Sequence, residues 1–168
     1  MTRLPEFSLT LWRQRRLLDA LLYRLEIHQL LLSSGRHRWL PNATRELEAV
    51  IAKLRRHELL RAVQASAVAA ELGLAGEPTL REITDAAPTP WGEVLREHHL
   101  ALLGLSGQVA DLADSLRDEL AASSRGINEF LDAVLAPMRT ARDRELGLEL
   151  PADPEPRTAS TVDLREDS

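Results

Sequence analysis

The chain has no cysteine. Disulfides, thiolate metal sites and thiol nucleophiles are therefore excluded at once. Aromatic residues make up only 4% of its 168 positions, and β-branched runs of strand length are missing. That combination leaves a sheet little to be built from. No stretch of 18 apolar residues occurs, and Met1–Ser8 shows no charged-then-apolar leader pattern, so a soluble cytoplasmic protein without membrane insertion is expected. Asn42-Ala43-Thr44 matches a glycosylation acceptor but, without a secretory context, reads as coincidence. Phosphate-cradling glycine loops, Gly-x-Ser-x-Gly and His-Glu-x-x-His are all missing. None of the five histidines has an acidic residue three positions before it, as an inward-facing di-metal bundle site requires; those positions hold Leu25, Ser34, Leu54, Leu95 and Arg96. No catalytic, cofactor or metal residue is assigned, and no enzymatic activity is expected.

What the chain does contain is leucine and alanine at helical spacing. Hydrophobic residues are 44% of the whole and charged ones 28%, enough for one domain with a core. The longest pattern runs from Pro90 to Met138. Leu95, His98, Leu102, Leu105, Val109, Leu112 and Leu116 alternate steps of three and four, which keeps one stripe facing a partner helix turn after turn. The stripe continues through Leu120, Ser123, Ile127, Leu131, Val134 and Met138, with weak points at Ser123-Ser124 and Gly126. As one helix it is roughly 50 residues and about 75 Å long. His98 lies on the stripe and reads as a hydrogen-bonded core histidine.

Two helices precede it. Leu11, Leu18, Leu25 and Leu32 recur every seven residues, widened by Leu17, Leu21, Leu22 and Leu31 into a face that meets more than one partner. Ser8 reads as the N-cap and Gly35 as the stop. Trp12 and Tyr23 read as bundle-edge residues, and Arg13, Arg15 and Arg16 as a solvated face. Gly35–Pro41 is a connector, with Trp39 and Leu40 folding over the bundle end. A second helix follows from about Asn42 to Leu72, with one seam at Leu47, Ile51 and Leu54 and another at Ala62, Ala65, Ala69 and Leu72. Each is roughly 45 Å long, and a short link between equal helices implies an antiparallel hairpin. Thr79-Leu80-Arg81-Glu82 is a capping box opening a short helix to about Ala87. Thr89 and Pro90 then read as N-cap and first position of the long helix.

The expected fold is all-α: an antiparallel three-helix coiled-coil bundle, a long hairpin plus a longer third helix, over residues 1–138. Residues 139–168, Pro-rich and acidic, read as a disordered tail, unable to bury enough apolar surface to offset their ordering entropy. Charge is uneven. Met1–Gly73 carries twelve Lys/Arg against seven Asp/Glu, Leu74–Met138 four against eleven, and the tail five against eight. A basic front facing an acidic third helix laces a bundle rim. Val68–Leu74 followed by Thr79–Glu82 also has the outline of a helix-turn-helix. Its reading helix would carry Glu82 and Asp85 against one arginine, however, and phosphate contact needs positive charge there, so no nucleic-acid partner is expected.

The run Leu11-Trp12-Arg13-Gln14-Arg15-Arg16-Leu17-Leu18, then Leu25-Glu26, Gln29–Leu32, Gly35–Leu40 and Thr44–Val50, resembles the FlgN-type flagellar export chaperones in their actinobacterial form. The likeness covers roughly Leu9 to Leu135. It implies a cytoplasmic helical chaperone without nucleotide hydrolysis. Such a protein binds the C-terminal helical segments of hook-associated proteins and hands them to the flagellar export gate. The family's client site is associated with the C-terminal helical region. Related chaperones can dock on the gate through an aromatic there, but no tyrosine lies beyond Tyr23 and Phe130 is the only aromatic after Trp91, so no gate residue is assigned. The helix lengths point to the same region. Two 45 Å helices leave about residues 123–138 of a 75 Å helix uncovered, exposing Ile127, Phe130, Leu131, Val134, Leu135 and Met138 as a client-binding stripe. The other reading of this segment is a break at Ser123–Gly126 that folds it back on the core. A non-enzymatic scaffold or regulator with a constitutive partner uses the same helices. The chain is expected to be a monomer or weak homodimer; a self-dimer is the other way of covering the same stripe.

Overall fold

A computed structural model describes residues 3–123, with side chains described as far as residue 117. Among the described residues there are four α-helices and no strand. They are α1 (Leu4–Ser33), α2 (Leu40–Glu71), α3 (Leu80–Ala86) and α4 (Trp91–Ser123), with one 3-10 turn at His37–Trp39 in the first connector. The all-α helical bundle expected from the sequence is present.

α1 starts four residues earlier than its expected cap. Pro5 sits in its first turn, where a missing N–H costs nothing, and Leu4 and Phe7 are buried, so the apolar face begins before Ser8. Ser8 is thus inside the helix. Both long helices of the hairpin end in the same way. Gly35 and Gly73 adopt φ of +69° and +73°, and in each case the N–H groups of the glycine and its successor close back on the helix. Gly35 N and Arg36 N donate to Leu32 O and Leu31 O, while Gly73 N and Leu74 N donate to Ala70 O and Ala69 O. These are Schellman caps, which glycine forms without a Cβ penalty. The Thr79 capping box is formed: Glu82 N donates to Thr79 Oγ1, and Thr79 N to the Glu82 carboxylate. α4 begins one residue later than expected, with the Pro90 carbonyl accepting from Val94 N and the Thr89–Pro90 bond in the cis form.

α1 is the central strut. It packs along both α2 and α4, while those two barely approach each other. Arg3 N donates to Glu71 Oε2 at one end and Arg24 pairs with Glu46 further along, so α1 and α2 are antiparallel. His98, near the start of α4, meets Ser8 and Arg15 near the start of α1. Burial then extends along α1 to His28 and along α4 to Leu116, which requires the two to run parallel. The core follows the expected stripes: Leu11, Leu18, Leu21 and Leu25, then Leu47, Ile51 and Leu54, then Leu95, Leu102, Val109 and Leu116. α3 packs mainly on α4 and seals the lower end with Ile83.

Through Ser123 the three long helices are nearly equal, at 30, 32 and 33 residues. The extra length assigned to the third helix, the question of a break at Ser123–Gly126 and the 139–168 tail all fall outside the described residues.

Candidate partner-binding surface

The described residues offer no enclosed chemical site. Among the described residues, no group of three or more histidine, aspartate or glutamate side chains is placed to hold a metal, and no helix is long and apolar enough to cross a membrane. A shallow cleft between the start of α1 and α2, lined by Arg3, Glu6, Val63, Gln64 and Ala67, holds about 50 Å³. That is far below what a small-molecule site needs. The candidates that follow lie on helix faces.

The first candidate is the far end of the bundle. There the α4 stripe leaves Leu112 and Leu116 against α1, and α4 runs on toward Ser123. At the same end of the bundle lie Leu31 and Leu32, half-buried, Leu30, exposed, Trp39 in the connector and Leu40 at the start of α2. Trp39 does not fold over the bundle end; it stays exposed beneath the Arg38 guanidinium, 4.7 Å from its ring centre. The six client-stripe residues expected from the sequence, Ile127, Phe130, Leu131, Val134, Leu135 and Met138, all lie outside the described residues. The rim they would extend from is apolar.

His98 sits at the opposite end, on the α1–α4 seam. Arg15 Nη1 can only donate, so at 3.2 Å it fixes Nδ1 as the acceptor. The ring proton is then on Nε2, which donates to Ser8 Oγ at 3.0 Å. Burial, followed by the Arg15 charge, holds the imidazole below its ordinary pKa. Arg15 is thus not part of a solvated face: it engages His98 and, at 3.7 Å, Glu97. His28, on the α2 side, is depressed by burial, against an opposing hydrogen bond to the Ala43 backbone. Its Nε2 is buried without a protein partner. Both histidines are packed structural groups.

The surface that sequence reasoning missed is on α2. Between Leu54 and Val68 no α2 residue is buried. The layer facing α1 there is polar. His57 Nε2 donates to the Thr10 carbonyl at 2.8 Å, Gln14 donates to Glu58, and Arg61 pairs with Glu58 at 3.0 Å. Leu59, Leu60 and Val63 point outward instead, and Ala62, assigned to an inner seam, is exposed. The signal was available in the sequence. Charged and amide residues take the inward positions, which rotates the apolar ones into solvent.

Compared with known proteins, residues 1–140 match the family model described as FlgN protein. No curated protein and no solved structure matches the chain.

Proposed function

Because the chain belongs to the FlgN family of flagellar export chaperones, we propose that it binds the C-terminal helical segments of hook-associated proteins in the cytoplasm. It then delivers them to the flagellar export gate, without a cofactor and without catalysis of its own. The observation that supports this reading is the α4 stripe. It is a seam of three-four spacing, buried against α1 at Leu95, Leu102, Val109 and Leu116, that is still in register where α4 reaches the apolar rim of Leu30, Leu31 and Leu32. Continued in the same register, the sequence places Ile127, Leu131, Val134 and Met138 on that line, with Phe130 and Leu135 beside it. An amphipathic client helix laid on such a stripe buries its own apolar face and is kept from aggregating before export.

The test is co-purification of the full chain with hook-associated proteins, intact and lacking their C-terminal helical segment. Retention of the intact protein and loss of the truncated one is the expected result. A partner retained equally without that segment, or carried permanently through the export cycle, would favour a scaffold instead.

A further inference from the structure

The outer face of α2 carries a second stripe. Ala52, Arg56, Leu59, Val63, Ser66 and Ala70 follow the four-three alternation of a coiled-coil seam, and all six are exposed. Leu59 is 72% and Val63 69% exposed, while the side of the helix facing α1 at their level is the polar layer of His57, Glu58 and Arg61. A segment with its large apolar residues turned to water and its polar ones turned inward has the character of an interface.

The order of residues identifies the occupant. About the level of Arg61 the stripe is symmetric in position and complementary in character. A two-fold axis there sets Ala52 against Ala70, Arg56 against Ser66 and Leu59 against Val63 of a second copy, and the same pairs in reverse. Reciprocity follows from any two-fold axis; what favours a second copy is that pairs this axis makes match in size, small on small at Ala52 and Ala70, and Leu59 on Val63. Alanines at both ends let the helices approach closely, and Leu59 and Val63 fill the middle. Between them the long Arg56 stem meets the short Ser66, whose hydroxyl can accept from the guanidinium while the charge stays in water. The rotation also brings Lys53 close to the level of Glu71 of the second copy. A parallel pairing would instead stack Lys53, Arg55 and Arg56 each on its own like. We propose that two copies of this chain associate through an antiparallel α2–α2 contact centred on Arg61. The contact spans about 27 Å of helix with few residues per side, the small end of specific interfaces. Association is correspondingly weak, with Kd on the order of 10–100 μM. The proposal does not rest on the family's function.

Sedimentation equilibrium of the full chain across that range should show a reversible dimer. Leu59→Asp with Val63→Asp should weaken it at least tenfold while far-UV circular dichroism stays unchanged. The natural chain has no cysteine, so Ala52→Cys and Ala70→Cys report geometry directly. Mixed under mild oxidation, the two variants should cross-link to each other, and Ala52→Cys alone should not. A chain that stays monomeric throughout overturns the proposal. So does Ala52→Cys linking to itself, or a dimer that is lost in Phe130→Ala with Leu131→Ala but survives the aspartates.

Discussion

At the residue scale, His98 makes the clearest commitment. Its neutral form fits the site, since Nδ1 accepts from Arg15 and Nε2–H donates to Ser8 Oγ. A second ring proton would face a guanidinium. The folded pKa lies below the ordinary value near 6.5, so as pH falls through 6.5 the unfolded chain takes up the proton first. Stability is therefore full above about pH 6.5 and declines below it; His28 acts in the same sense. Denaturant midpoints measured at about pH 7.5 and pH 5.5 should fall on acidification. His98→Gln should lower the midpoint at the higher pH and flatten the fall, and an undiminished slope would assign the acid sensitivity elsewhere. Hydrophobic positions separate as sharply. Leu102→Ala, on the buried seam, should cost about 2–5 kcal/mol. Leu59→Ala, facing water, should stay within about 0.5 kcal/mol in dilute solution. Equal costs would mean that α2 is rotated about its own axis from this orientation.

At the scale of elements, what could be read from the sequence was set by how strongly one physical term dominated. The α4 seam was legible because a three-four alternation held over seven positions admits one helical face, and the structure buries or half-buries all seven. The Thr79 box and the Gly35 stop were legible because capping is local chemistry. Ser8 misled because a good capping residue can equally serve inside a helix, and the apolar pair Leu4 and Phe7 already extended α1 past it. Ala62 misled because alanine is indifferent to burial; its neighbours Glu58, Arg61 and Gln64 decided which way α2 faced. Arg15 was legible as a charge but not as the partner of His98, a contact across 83 positions of sequence. Glycines in α4 offer an element-level check. An added Cβ at Gly104 meets nothing within 4 Å, so Gly104→Ala should stabilise by about 1 kcal/mol through helix propensity alone. At Gly92 the same Cβ comes to 3.1 Å from the Ala87 carbonyl oxygen, where α3 folds onto α4. Gly92→Ala should therefore lower the melting temperature, while Gly104→Ala raises it. A matching shift in both would mean that α3 does not hold this close approach.

At the scale of the whole molecule, the division of labour between stability and binding is the remaining test. α1 is covered on two sides, and among the described residues one apolar core runs continuously from Leu4 to Leu116. If the stripe of Ile127–Met138 is the client site, its side chains contribute little to the fold and much to the complex, because a few apolar anchors carry most of a helix-in-groove contact. Phe130→Ala with Leu131→Ala should leave the thermal midpoint almost unchanged, since no packed cavity is opened. The same double variant should lose most of its affinity for a hook-associated protein's C-terminal segment. Both measurements belong on the same preparations, beside Leu102→Ala, which should melt early yet bind normally at temperatures where it is folded. A Phe130/Leu131 variant that melts early and still binds would place the segment in the core. The client surface would then have to be sought at the exposed rim of Leu30 and Trp39 or on the outer face of α2.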